Sequence, residues 1–324
     1  MNPEWKRWLV RGVKIVLALM ILFFVGRQFK RDLEQLDLSQ LEIRPGWLLA
    51  SGGLYLAGMF PSAWFWRHLH QKFGYPIFLF AAVRAHYIGQ LGKYVPGKAM
   101  AIAIRSTLVH PCGVPYGVSI ITSFYEVFTG MAAGAIIAAT IYVIEPPADL
   151  DLGWHPLAIG LLLIVMCGIP LLPGVFNFII AKLTARIQAI ELYRLPPVRV
   201  GTLATGLLSS AVGWWLQGLS LWSMLQAVVP EPPTWTLASW AQCTAAVTFS
   251  NVVGFAVFFL PAGLGVRELL LTKLLSSLGP KGYIAAAALL LRLDWIVAEA
   301  LFAVCTYWLK PKGEGSEPLG SDTK

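Results

Sequence analysis

The chain has 324 residues, 57% of them hydrophobic and only 13% charged, with thirteen Trp and a mean hydropathy of +0.66. That leaves too little polar surface to cover a water-soluble globule of this size, and it points to an all-α polytopic integral membrane protein. The net charge of +8 could suit a nucleic acid, but the bases cluster at the ends of apolar segments, as in loops facing anionic lipid, so no nucleic-acid partner is expected.

In chain order, the apolar runs predict membrane spans at 8–26, 46–66, 115–144, 156–173, 200–228 and 282–309, each near or above the roughly 20 residues that cross a bilayer as helix. The first run is followed by Gly26-Arg27-Gln28 instead of a small-x-small cleavage site, so it is expected to stay as a span. Proline pairs at Pro146-Pro147, Pro196-Pro197 and Pro232-Pro233 mark loops. Residues 1–309 read as a single transmembrane domain, and 310–324 as a disordered cytoplasmic tail.

Charge sets the orientation. Lys6 and Arg7, Arg67 and Lys72, the predicted loop carrying Lys182, Arg186, Arg194 and Arg199, and the closing Lys310 and Lys312 all suit the cytoplasm. Loops 145–155 and 229–235 contain no Lys or Arg and suit the outside. Both termini are then cytoplasmic, although loop 27–45 must lie outside despite Arg27, Lys30, Arg31 and Arg44.

Two further segments, 77–111 and 236–279, carry breaks. In the first, Tyr94-Val95-Pro96-Gly97-Lys98 precedes an apolar run that leads to Arg105. In the second, Leu260-Pro261-Ala262-Gly263-Leu264-Gly265-Val266-Arg267-Glu268 follows an apolar run that begins at Leu237. Proline removes a backbone donor and glycine admits unusual angles, so a helix should stop and a new one start in each. Irregular backbone at membrane depth is tolerated only inside protein or beside a polar cavity, and a helix N-terminus beside a cation suits an anion. Parity requires both segments to leave on the side they entered. The expected architecture is therefore two inverted repeats, about 8–144 and 156–309, with six full spans and two broken or re-entrant hairpins, or about 8–10 membrane helices in all.

The candidate substrate-binding residues are Lys93, Tyr94, Pro96, Gly97, Lys98, Arg105, Glu126, Pro261, Gly263, Gly265, Arg267, Glu268, Arg292 and Asp294. A charge such as Arg292 inside an apolar helix is costly unless paired or facing water. Structural alternatives stand beside each reading: Arg292 paired with Glu299 or Asp294, Arg267 paired with its neighbour Glu268, and Lys93 and Lys98 snorkelling to head groups. Glu126 is either the partner of Arg105 or Arg292 or a titratable group that couples transport to protons. Gly130 and Gly134 read as a helix-packing face, and Trp64, Trp66, Trp214 and Trp215 as interfacial anchors or packing. No H-E-x-x-H, G-x-S-x-G, P-loop or C-x-x-C occurs, so no catalytic residue, metal or other cofactor is expected.

Tyr94-x-Pro96-Gly97 with downstream Arg105, together with the stretch Leu260 to Glu268, resembles the lysylphosphatidylglycerol synthase transmembrane (flippase-like) family across roughly residues 8–309. The resemblance implies a protein of a bacterial or archaeal cytoplasmic (inner) membrane that moves or handles charged or glycosylated lipids between leaflets. The soluble aminoacyl-transferase domain of two-domain members has no counterpart in these 324 residues, so lipid aminoacylation is not carried over. The expected function is a translocase or lipid-binding transporter for an anionic or glycosylated lipid. The alternative is a noncatalytic accessory that presents a lipid-linked precursor to a glycosyltransferase or other envelope-biogenesis enzyme.

Overall fold

A computed structural model describes residues 42–94, 99–147, 168–186, 196–257 and 265–309, with Gly263 and a few positions between 158 and 165. The predicted span 8–26, part of 156–173, Pro96, Gly97, Lys98, Pro261 and the tail 310–324 lie outside the described residues. Among the described residues the chain is helical without a strand: α1 (Pro45–Lys72), α2 (Leu79–Gln90), α3 (Ala99–Val109), α4 (Tyr116–Ile144), α5 (Pro173–Arg186), α6 (Val200–Val228), α7 (Leu237–Ala256), α8 (Val266–Leu274) and α9 (Lys281–Tyr307).

The bundle buries many polar side chains within an apolar core and exposes apolar stripes. On α9, Leu293, Val297, Leu301 and Val304 recur at helical spacing and are each more than half exposed, while Glu299 on the opposite face is 0% exposed. On α6, Leu208 and Val212 face outward while Ser210 and Ser220 are buried. Such a surface is stable only against hydrocarbon. Among the described residues α4 is the helix both long and apolar enough to pass a length-and-hydropathy test for a membrane span. Helices α1, α6 and α9, of 28, 29 and 27 residues, have the length to cross but are diluted by Gly, Ser and charged residues.

Small residues hold the centre. A Cβ added to Gly58 of α1 would lie 2.9 Å from the carbonyl oxygen of Gly213 on α6, so the two backbones touch where side chains are missing. Beside that contact the Ser220 hydroxyl donates to the Ser51 carbonyl at 2.8 Å. Gly134 of α4 packs against the Trp214 ring, whose Nε1 donates to the Gly130 carbonyl at 2.8 Å, so these glycines and this tryptophan are packing groups. Trp66 is likewise fully buried.

Two arginines tie helix ends together. Arg44 donates from its backbone N–H to Ala227 O at 3.0 Å and from Nη1 to Gln226 O at 3.0 Å, capping the C-terminus of α6. This accounts for a base in a predicted outer loop: its charge answers helix carbonyls instead of standing free. Arg84 of α2 donates to Thr306 O at 3.1 Å and to Tyr307 O at 3.0 Å at the end of α9. The hairpin α2–α3 starts at the Lys72 end of the bundle, where Arg67 Nε reaches Ile77 O at 2.9 Å. Helix α7 starts at the other end, where Gln242 donates to Glu145 at 2.5 Å and Gln226 to Pro233 O at 2.7 Å.

Two boundaries differ from the sequence reading. Helix α1 runs on past residue 66 to Lys72, because charged residues at the end of an apolar run mark where hydrocarbon stops and not where the helix stops. The predicted basic loop at 182–199 begins as helix, since α5 continues to Arg186 with no Gly or Pro after Gly174 to end it.

Candidate functional site

A cavity of about 460 Å³ opens between the helices, lined from both halves of the chain. Lys93, Arg105, Glu126 and Arg267 face it, together with the ring of Trp295 and the hydroxyl-bearing Tyr55. The neutral polar residues Gln90, Gln217 and Asn251 also reach it.

Local structure sets each charge in place. In the first hairpin, α2 and α3 are 12 and 11 residues long, about 18 and about 16 Å, too short for either alone to cross a bilayer core of about 30 Å. Gly89 on α2 leaves room for the Arg105 side chain: a Cβ there would collide with Arg105 Cγ and lie 3.1 Å from Ala101 O. Arg105 Nη1 donates to Glu126 Oε2 on α4 at 2.8 Å, and both residues are buried. His86 Nε2 stands 3.5 Å from the other Glu126 oxygen. Of the two readings of Glu126, the structure displays an ion pair with Arg105.

Lys93, in the 3-10 turn Leu91–Tyr94 that ends the first arm, forms an ion pair with Glu299 of α9. The Tyr55 hydroxyl donates to the same carboxylate and accepts from Lys93 at 3.2 Å, and the Tyr94 hydroxyl donates to Glu299 Oε2 at 2.9 Å. Lys93 therefore points inward to a buried acid and does not snorkel to the surface.

In the second hairpin, Gly263 (φ 66°) and Gly265 (φ 86°) occupy the left-handed region, which a side chain would resist. Gly265 precedes α8, and its N–H donates to Glu268 Oε2 at 2.7 Å, a carboxylate closing the helix N-terminus. The other Glu268 oxygen takes Arg292 of α9. Glu268 thus pairs with Arg292 rather than with Arg267, and Arg292 pairs with neither Glu299 nor Asp294. Both residues serve to fasten α8 to α9 and are not on the cavity wall. Asp294 also lies away from the cavity, with Oδ1 3.1 Å from where a Gly52 Cβ would stand.

Arg267 is left over. Its guanidinium lies 5.4 Å from the centre of the Trp295 ring, which stacks at 4.2 Å on Tyr55. Its Nε is buried without a hydrogen-bond partner, and no ion pair joins it to a described residue. Gly254 on α7 makes room for its stem, since a Cβ there would lie 2.6 Å from Arg267 Cγ. A cation held over an aromatic face, with its remaining donors turned into a cavity, is arranged to receive an anion. Among the described residues no group of three metal-ligating side chains comes together.

A family model described as "Lysylphosphatidylglycerol synthase TM region" matches residues 12–294, most of the chain. The chain belongs to this family. No curated protein matches it. Membership in the lysylphosphatidylglycerol synthase TM region family makes this an integral membrane protein and ties it to lipid metabolism or transport. For a member of this family, the apolar surface of the bundle has a direct meaning: the exposed stripe on α9 faces acyl chains. Sequence reasoning singled out Arg105, Arg267 and Glu126 but missed Tyr55, Trp295 and Glu299 as parts of the site. An acid two turns past Arg292 in an apolar helix was the available signal for Glu299, whereas aromatics in membrane helices give none.

Proposed function

We propose that this protein binds the anionic head group of a membrane lipid in the cavity beside Arg267 and carries it between the leaflets of the cytoplasmic membrane. The observation that carries the reading is a cation with no ion-pair or hydrogen-bond partner among the described residues, held on Trp295 at the wall of a cavity inside an apolar-surfaced bundle. A volume of about 460 Å³ takes a head group but not two acyl chains. The chains can remain in the bilayer, because Phe124 lines the cavity and is also half-exposed on the outer surface of α4.

The two hairpins support alternating access. Both arms of the first are short, the second has arms of 20 and 9 residues, and they start from opposite ends of the bundle. We read them as one broken hairpin in each of two inverted repeats, meeting at the cavity. Both termini then lie in the cytoplasm, with the Val229 end of the bundle outside.

Reconstitution tests the reading. Proteoliposomes carrying the full chain should move a fluorescent phosphatidylglycerol to the leaflet where dithionite quenches it, while Arg267→Gln protein, equally monodisperse in detergent, should not. Equal movement by both would remove Arg267 from the mechanism. Lipid retained in the cavity without movement by either would favour the accessory role. Single cysteines at Glu231 and Gln71, in a background without Cys112, Cys167, Cys243 and Cys305, test orientation. An impermeant reagent should label intact cells at position 231 and not at 71, and the reverse pattern would invert the topology.

A further inference from the structure

The cavity's charges are nearly all committed. Arg105 and His86 occupy Glu126, Lys93 occupies Glu299, and Arg292, off the wall, occupies Glu268. Among the described residues this leaves one positive charge facing the cavity, Arg267, and no free carboxylate. What remains around it is neutral. Gln90, Gln217 and Ser62 line the cavity without a side-chain hydrogen bond to any described residue, and Asn251 uses its amide only to reach Val247 O in its own helix at 2.8 Å.

Neutral amides and hydroxyls recognise hydroxyls, and one guanidinium fork matches two oxygens of one phosphate. Among the described residues a second phosphate would find no uncommitted countercharge in this low-dielectric cavity, and a burial without pairing is strongly disfavoured. An ammonium group meets the same obstacle with opposite sign, since Glu126 already holds Arg105. Resting on the lipid-binding reading, we propose that the cavity selects a lipid head with a single negative charge, a phosphodiester bearing neutral hydroxyls, and rejects both polyphosphorylated and aminoacylated heads. The family's description names an aminoacylated lipid, and the charge arrangement of this member disfavours that head.

Two matched pairs of lipids isolate charge. The full chain in phosphatidylcholine nanodiscs is titrated with phosphatidylglycerol against lysylphosphatidylglycerol, and with phosphatidylinositol against phosphatidylinositol 4-phosphate, and bound lipid is read by native mass spectrometry. The member of each pair whose head carries one negative charge and no other should bind more tightly by about tenfold or more, the scale of one charge-assisted hydrogen bond made or lost. Arg267→Gln should collapse both ratios. Gln217→Lys, which adds a second cation to the wall, should move the second ratio toward the 4-phosphate, which separates charge from head-group size. Lysylphosphatidylglycerol binding as well as phosphatidylglycerol, the 4-phosphate binding as well as phosphatidylinositol, or a ratio unmoved by Gln217→Lys, overturns the selectivity while leaving lipid binding in place. If none of the four exceeds phosphatidylcholine, lipid binding falls and the selectivity with it. Soluble glycerophosphoglycerol should not displace bound phosphatidylglycerol at equal concentration; displacement would assign the site to a free phosphodiester and overturn the lipid form of the proposal.

Discussion

In both helical hairpins a glycine on the first arm makes room for an arginine on the second: Gly89 for Arg105, and Gly254 for Arg267. From that shared start they diverge. Arg105 reaches Glu126 on the next long helix and is neutralised, buried at 3% exposure. Arg267 has an acid as its sequence neighbour, but Glu268 turns back to cap Gly265 and takes its cation from Arg292. Each hairpin is thus locked to the following long helix by one ion pair, and the second keeps a spare charge. The comparison teaches that an arginine at membrane depth is not by itself a ligand site; what decides is whether a carboxylate within its reach is left uncommitted to another group.

The largest effect should come from removing a counterion. Glu126→Gln leaves Arg105 buried and uncompensated, and should cost about 3–5 kcal/mol of stability, visible as a lower melting temperature of detergent-extracted protein. A melting temperature within error of the parent would mean that water, not Glu126, satisfies Arg105. Removing Arg267 should do the opposite. Arg267→Gln should leave melting unchanged within about 1 kcal/mol yet reduce lipid transport about tenfold to a hundredfold, because among the described residues the cation has no ion-pair or hydrogen-bond partner to lose.

The glycines sharpen the contrast. At Gly89 a methyl group meets the Ala101 carbonyl as well as Arg105, and backbone cannot step aside, so Gly89→Ala should destabilise by about 1–3 kcal/mol. At Gly254 the nearest atom belongs to the flexible Arg267 stem, so Gly254→Ala should displace the guanidinium and slow transport with a smaller stability loss than Gly89→Ala, measured by parallel melting and transport assays. The reverse order of the two stability losses would show that the hairpins are not built alike. Smallest of all, Arg267→Lys should retain part of the transport activity, since it keeps the charge and loses the planar fork. A rate equal to that of Arg267→Gln would mean that fork geometry, not charge, carries recognition.

Much of the bundle was legible because apolar runs end sharply. Helices α4 and α6 begin and end within a residue or so of the predicted limits, where Pro115 and Pro197 precede long runs. Helix α5 was not, since a basic stretch without Gly or Pro is equally compatible with loop and with amphipathic helix. The charged candidates were visible because charge in an apolar context is rare, and Glu126 was among the partners read for Arg105, but the partners of Lys93 and Arg292 were not legible. Lys93 and Glu299 are 206 positions apart, and nothing local distinguishes Glu299 from Asp294 as the acid that meets the first hairpin. The stack of Arg267 on Trp295 was invisible for a related reason: among thirteen tryptophans, no local pattern says which one underlies a cation.

The junction of Lys93, Glu299, Tyr55 and Tyr94 joins the turn of the first hairpin to α9. Swinging the hairpin away from α9 separates a lysine from a fully buried carboxylate, a cost of about 3 kcal/mol or more, so at rest roughly one molecule in a hundred or fewer would stand open. If the cavity carries a lipid as proposed, the junction would act as a thermal latch whose occupancy, more than the chemistry of the cavity, sets how often that lipid can leave. Glu299→Gln should weaken it, raising hydrogen exchange across Leu91–Tyr94 and speeding release of bound lipid; exchange no faster than in the parent would mean that the hairpin does not move.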